Sequence, residues 1–289
     1  MAEIGTDLVV KLRKLTGQGM MECKHALQEA GGDMEKAVEI LRKKGLASMD
    51  RRADRQAKEG LVVSKTSPDG RTAVLAALCC ETDFVARTDD FGQVAARLAD
   101  YAMACQKDEG PDALAQTTLN GRPFLELMAE LISKTGEKIS IGDYARFRLD
   151  GPGLIGLYVH FNRKVGSMVQ LQTSSDSVAA NQAVKTLAAD LAMHSTAARP
   201  MAIDKSDVDP EVIAKERAIY AEQVKGKPAA IIDKIVDGKL AKFFAENCLL
   251  LQRFVKDDEK TVQQIIDEVA KAAGGTAKVV RFVRIAVGA

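Results

Sequence analysis

The 289-residue chain has no tryptophan, four tyrosines and nine phenylalanines, so aromatic residues make up only 4% of it. With so few, an aromatic at a surface position needs a reason. No charge of either sign dominates: 41 basic residues stand against 40 acidic ones, a net of +1. That balance argues against a nucleic-acid binder working through a basic field and favours a protein partner recognised through mixed charges. No apolar run approaches the roughly 20 residues of a membrane span. The opening Met1-Ala2-Glu3-Ile4-Gly5 lacks the basic-then-apolar order of a secretion signal. A soluble cytoplasmic protein without membrane contact is expected. Five cysteines are an odd number for a disulfide framework, and no pair has zinc-ligand spacing. Reduced, mostly buried thiols fit this better.

Motifs for covalent chemistry are also missing. There is no glycine-rich phosphate loop ending in Gly-Lys-Ser/Thr, no nucleophile elbow and no paired-histidine zinc helix. Gly17-Gln18-Gly19 lacks the preceding strand that a dinucleotide site needs. The three histidines are His25, His160 and His194. His194 and Ser195 are sequence neighbours on a helix, where side chains point apart, so His194 is expected in the core. Cys79 and Cys80 alternate faces of a strand, so one of them faces the core. A thiol enzyme using either is one alternative function. No cofactor is expected.

What is present is an apolar content of 46%, enough for a sizeable core, arranged in distinct regions. Residues 4–45 read as three short helices. Leu8, Leu12 and Leu15 recur at helical spacing, as do Cys23, Ala26, Leu27 and Ala30, then Ala37, Val38 and Leu41. Asp33 is a candidate N-cap, and Gly45 is expected to stop the third helix. Residues 51–60 read as a solvated, charge-rich linker. From Leu61 the period changes to strands. Leu61-Val62-Val63, a Ser67-Pro68-Asp69-Gly70 turn and the run from Thr72 to Cys80 make a hairpin. Phe91, Val94, Ala95, Leu98 and Ala102 stripe a helix, and Phe124–Ile132 is another after Pro123. Ile139–Leu149 and Leu154–His160 read as strands.

The pattern then repeats weakly. Ser167–Leu171 resembles the earlier strand, and Asp176-Ser177-Val178-Ala179 stands where Asp83-Phe84-Val85-Ala86 stood, three residues nearer its helix. Asp190-Leu191-Ala192-Met193 parallels Asp100-Tyr101-Ala102-Met103. The fold class is therefore α+β: an N-terminal three-helix unit (1–50), a linker (51–60), and two halves of a duplicated antiparallel sheet-plus-helix core (61–140 and 141–289). A protruding helical hairpin is expected at about 205–247, with Pro210–Val224 and Pro228–Asn247 joined by Lys225-Gly226-Lys227. The core resumes at Leu249, with a helix over Thr261–Ala272 and a last strand over Val279–Val287.

Glu81-Thr82-Asp83-Phe84-Val85-Ala86 sits at a strand-to-helix corner, a surface location. Phe84 either folds back under the corner or projects as a wedge into a pocket on another protein. The second half has Ser177 at the matching place, which favours the wedge, since packing in a repeat would require the aromatic twice.

This stretch resembles the signature of the elongation factor Ts family. So do Leu15-Thr16-Gly17-Gln18-Gly19-Met20-Met21-Glu22-Cys23-Lys24, Arg55–Gly60, Tyr158-Val159-His160, Leu191–His194, Gly226-Lys227-Pro228, Gln252–Lys256 and Phe282-Val283-Arg284. The family commonly has proline where this chain has Arg253. The resemblance implies a ubiquitin-associated-like fold for residues 1–50. It implies a guanine-nucleotide exchange factor for elongation factor Tu, engaging both its GDP-bound and nucleotide-free forms, without bound cofactor or direct nucleic-acid contact. It implies exchange residues Thr82, Asp83, Phe84 and Val85, with His160 at the partner surface. Phe84 would wedge between helices of the GTPase domain and disturb its Mg²⁺ site. A homodimer or a 2:2 complex with the partner stays open, as does an adaptor of the ubiquitin-associated type.

Overall fold

A computed structural model describes residues 4–225 and 228–288. Gly226 and Lys227 of the expected hairpin connection lie outside the described residues, as do Met1, Ala2 and Glu3. Three helices come first: α1 (Thr6–Thr16), α2 (Met20–Glu29) and α3 (Met34–Asp50). Their apolar faces close a small core of Val9, Leu12, Cys23, Ala26, Leu27, Ala37 and Leu41. Leu15 is exposed and is not part of it. Asp33 caps α3, its carboxylate accepting from the backbone N–H groups of Glu35 and Lys36.

The elements of the first half follow: β1 (Glu59–Thr66), β2 (Thr72–Cys80), α4 (Asp83–Ala86), α5 (Asp89–Ala104), α6 (Pro111–Gln116), β3 (Thr118–Leu119), β4 (Arg122–Pro123), α7 (Phe124–Thr135) and β5 (Ile139–Arg148). The second half contains β6 (Gly153–Val159), β7 (Val165–Thr173), α8 (Asp176–Ala180), α9 (Gln182–Ala198), α10 (Pro210–Gln223), α11 (Ala229–Asn247), β8 (Arg253–Phe254), β9 (Asp257–Thr261), α12 (Val262–Ala272) and β10 (Ala277–Ala286). The two principal sheets are antiparallel, β1-β2-β5 and β10-β7-β6. In each, a hairpin is followed by a short helix, a long helix, a two-stranded ribbon, a further helix and a return strand. The arm α10–α11 is inserted into the second half.

The layers run helix, sheet, sheet, helix. One face of the first sheet (Val63, Val74, Ala76, Leu78, Cys80) packs on Phe91 and Leu98 of α5 and on Leu127 and Leu131 of α7. Its other face (Val62, Leu75, Ala77, Cys79, Phe147) meets Met168 and Ile285 of the second sheet. The far side of that sheet packs through Val169 and Leu171 on Leu187 and Leu191 of α9 and Ile266 of α12. The arm has its own apolar seam, Val224, Val236 and Leu240.

Four local expectations change. Gly45 does not end α3, which runs on to Asp50. A Cβ at Gly45 would sit 2.9 Å from the carbonyl oxygen of Ala129, so the glycine serves close packing of α3 on α7. Strand β5 pairs with β2, so by pairing the first half extends to Arg148 and does not end at residue 140. Cys79 and Cys80 are both buried, because both faces of β2 are covered. Finally, the short helix stands at the same distance from the long helix in both halves, with Asp83 and Asp89 matching Asp176 and Gln182. Phe91, Leu98, Tyr101 and Ala102 then match Val184, Leu191, His194 and Ser195, all buried. The sequence pairing of Asp100–Met103 with Asp190–Met193 is therefore three residues out of register. Helical periodicity hides such a slip, since a helix nearly repeats its face every three to four residues.

Candidate functional site

The corner after β2 is a single turn of helix with tightly specified ends. Thr82 caps α4, its hydroxyl oxygen accepting from the N–H of Val85. That hydroxyl donates at 2.5 Å to Oε1 of Glu137. The other carboxylate oxygen accepts from the N–H groups of Glu81 and Thr82 at 3.1 and 3.0 Å. One side chain from the α7–β5 connection thus fixes three donors of the corner. Glu81 is held in turn by the N–H of Lys138 at 2.6 Å and by Arg55 at 3.1 Å. These contacts, the Lys138 backbone first, hold its carboxyl below the usual range. Asp83 pairs with Arg87 one turn on, at 2.8 Å.

On this fixed turn the side chains divide. Ala86 is buried and Val85 packs against the core. Phe84 is 81% exposed, so it does not fold back under the corner. An aromatic kept in water on a rigid mount has a surface role available to it and no core role.

His160 lies just past β6, in the turn to β7. Its Nδ1 is 2.9 Å from the hydroxyl of Tyr158. The turn is bonded to the outer edge of β1, where the N–H of Val62 donates to the carbonyl of Arg163 at 2.7 Å. Helix α4 packs on β1 from the helical side. The structure therefore brings Thr82, Asp83, Phe84 and Val85 into one helical turn and puts His160 on a second element bordering the same strand. The sequence reading missed Phe161. It is 88% exposed, and its ring centroid is 4.4 Å from that of His160. An aromatic between two strand patterns was the signal that marked it.

The rival chemistry loses its footing. Burial pushes the Cys80 thiol up to about 12 and raises Cys79 as well, so neither forms thiolate near neutral pH. His194 is buried among Gln252 Oε1, 2.9 Å from its Nε2, and the N–H of Val255, which donates to Nδ1. Ser195 donates to the carbonyl of Leu191, away from that ring. No described helix is long and apolar enough to cross a membrane.

A model of the family described as elongation factor TS matches residues 81–289, from the corner onward. Similar curated proteins named elongation factor Ts come from several bacteria. One from Nitratiruptor sp. is 43% identical over 287 residues, covering 99% of this chain and 93% of that one. One from Desulfovibrio desulfuricans is 41% identical over 293 residues, covering 100% of both. One from Alkalilimnicola ehrlichii is 42% identical over 287 residues, covering 99% and 92%. With the duplicated core, the capped corner and full-length similarity in agreement, the chain belongs to the elongation factor Ts family.

Proposed function

We propose that this protein is a guanine-nucleotide exchange factor that binds elongation factor Tu in its GDP complex and speeds GDP release during translation elongation. It acts by binding, in the cytoplasm, and makes or breaks no covalent bond. The observation that carries the reading is Phe84, 81% exposed on a turn whose backbone is clasped by Glu137.

The physics requires differential affinity. A protein that bound the GDP-loaded and empty GTPase equally would shift nothing. Coupling is reciprocal, so GDP must weaken the exchange factor as much as the exchange factor weakens GDP. Phe84 meets this requirement if its ring is buried only in the opened complex, between helices that carry the partner's Mg²⁺ site. Mg²⁺ demands near-octahedral geometry at about 2.0–2.1 Å, so a small helix displacement loosens it. The rigid mount matters here, because a floppy corner would absorb the strain that must be passed to the partner. Thr82 and Val85 fix the turn, Asp83 acts beside the ring, and His160 contributes a second partner contact. Residues 1–50 act as a separate partner-holding unit on the core, and the arm α10–α11 as an interaction element.

Release of a fluorescent GDP analogue from elongation factor Tu tests the proposal. Burying a Phe side chain contributes roughly 1.5–3 kcal/mol. Phe84→Ala should therefore slow the accelerated release by about ten- to a hundredfold. A change below about threefold would remove the wedge and leave exchange activity to another surface. No acceleration by the intact chain would remove the function.

A further inference from the structure

The β6–β7 turn has a counterpart in the first half, the β1–β2 turn, and the two share their backbone bonds. The N–H of Gly70 donates to the carbonyl of Ser67, as that of Arg163 does to His160. The N–H of Ser67 donates to Thr72, as that of His160 does to Val165. Asp69 accepts from the N–H of Arg71, and Asn162 from that of Lys164. Gly70 and Arg163 both hold positive φ, 71° and 55°. In this alignment Phe161 stands where Pro68 stands. Proline suits the position because its ring fixes φ, and the backbone there asks for nothing that a phenyl ring supplies.

Among the described residues the ring is not part of a core either. Of the nine phenylalanines, Phe84 and Phe161 alone are exposed, at 81% and 88%. Each half thus carries one exposed phenylalanine at a place where the other half has no aromatic, Ser177 opposite Phe84 and Pro68 opposite Phe161. Both lie along β1. Glu59 pairs with Cys80, next to the corner, and Val62 is bonded to the turn of Phe161. These points are three residue steps apart on the strand, about 10 Å at ~3.3 Å per residue. One partner surface of ordinary size spans that distance.

The tip is also preorganised. Beyond its internal bonds, Val287 N–H donates to the carbonyl of Lys164, and the Lys164 ammonium pairs with Glu59 at 2.5 Å. Next to Phe161 runs a groove of about 480 Å³ with Val62, Val63, Ala96 and Ala99 on its walls and the Lys65–Asp100 ion pair and Arg163 along it, a mixed surface open to the other molecule. An aromatic on a rigid turn loses little entropy on docking.

We propose that Phe161 is a second aromatic anchor for the same partner that Phe84 engages, and that it supplies affinity while Phe84 supplies exchange. The inference rests on the exchange reading above. Phe161 sits on a hairpin tip and not on the α4 turn, and the division of labour requires that its contact be the same in the loaded and opened complexes. Uniform binding of that kind changes the half-saturating concentration and leaves the maximal rate alone.

The experiment is a titration of GDP release from elongation factor Tu with the intact chain and with its Phe161→Ala, Phe161→Leu and Phe84→Ala variants. Phe161→Ala should raise the half-saturating concentration about tenfold or more, with the maximal rate within twofold. Phe161→Leu should recover most of that loss, and Phe84→Ala should show the opposite split. Less than a threefold change in half-saturation for Phe161→Ala, beside an active parent, overturns the anchor while sparing the exchange reading. A fall in maximal rate alone overturns the division of labour. A parent that does not accelerate release takes down both.

Discussion

The two halves of the core share one plan, and four places where they part company sort into two kinds. At the edge strand, Val63 in the first half matches Gly156 in the second. A Cβ at Gly156 would overlap the carbonyl oxygen of Ala188, so α9 presses its backbone onto β6 where α5 must clear a valine. In the long helix, Tyr101 matches His194. The tyrosine hydroxyl donates to the carbonyl of Arg122 and its ring meets Phe124 edge-on. The histidine bonds Gln252 and stacks on Phe254. These two differences are alternative solutions to the same packing problem, because each is answered by a neighbour in the same half. Phe84 against Ser177, and Phe161 against Pro68, are of the other kind. Among the described residues no buried neighbour answers either ring, and both stay exposed. A duplicated fold thus contains its own control, and a residue that one copy has and the other folds without is a candidate for function.

The comparison breaks hardest at Gly156. Gly156→Ala drives a methyl group into the α9 backbone, which overpacking values put at about 3 kcal/mol. Thermal unfolding should show a markedly lower midpoint, and an unchanged midpoint would mean that α9 shifts freely. Glu137 comes next. Its carboxylate serves three donors of the corner, and the second half has no such carboxylate at the α12–β10 connection, where Ser174 and Thr276 bond instead. Glu137→Gln should cost roughly 2 kcal/mol, on the scale of hydrogen bonds to a charged group. It should also slow nucleotide release severalfold, because Phe84 loses its rigid mount. Retained exchange in a destabilised variant would separate the clasp from the wedge.

His194 sharpens the contrast through pH. Burial holds its folded pKa below the ordinary 6.5, against a smaller opposing effect of Gln252. The unfolded chain therefore binds the proton more readily. Stability from this group is complete above about pH 6.5 and is lost as pH falls through that value toward the folded pKa, at most about 1.4 kcal/mol per pH unit for one proton. Midpoints measured from pH 7.5 to 5 should fall more steeply for the parent than for His194→Gln. Parallel profiles would remove His194 from the acid response. The smallest effect belongs to Ser177. It is exposed and shares one hydrogen bond with Ser175 at 2.8 Å, so Ser177→Ala should change stability by no more than about 0.5 kcal/mol and leave exchange untouched. A defect resembling Phe84→Ala would end the argument from asymmetry.

Much of this was readable locally. Apolar period marked the helices and strands, Asp33 announced a helix start, and the recurrence of strand, corner and helix announced the duplication. These features are encoded within a few residues of one another, through caps, turns and side-chain periodicity. Other features depended on partners distant in sequence. That both Cys79 and Cys80 are buried follows from a second sheet covering the first. That Gly45 lies inside a helix follows from Ala129, more than eighty residues on. That β5 closes the first sheet follows from a choice of pairing partner that alternation alone does not record. The same division runs through the candidate site. The sequence by itself determined that Phe84 sits at a strand-to-helix corner. Only the tertiary structure decided that its ring stays in water, that Glu137 holds it there, and that Phe161 projects beside the same strand, because exposure and proximity are properties of packed neighbours and not of the chain's local pattern.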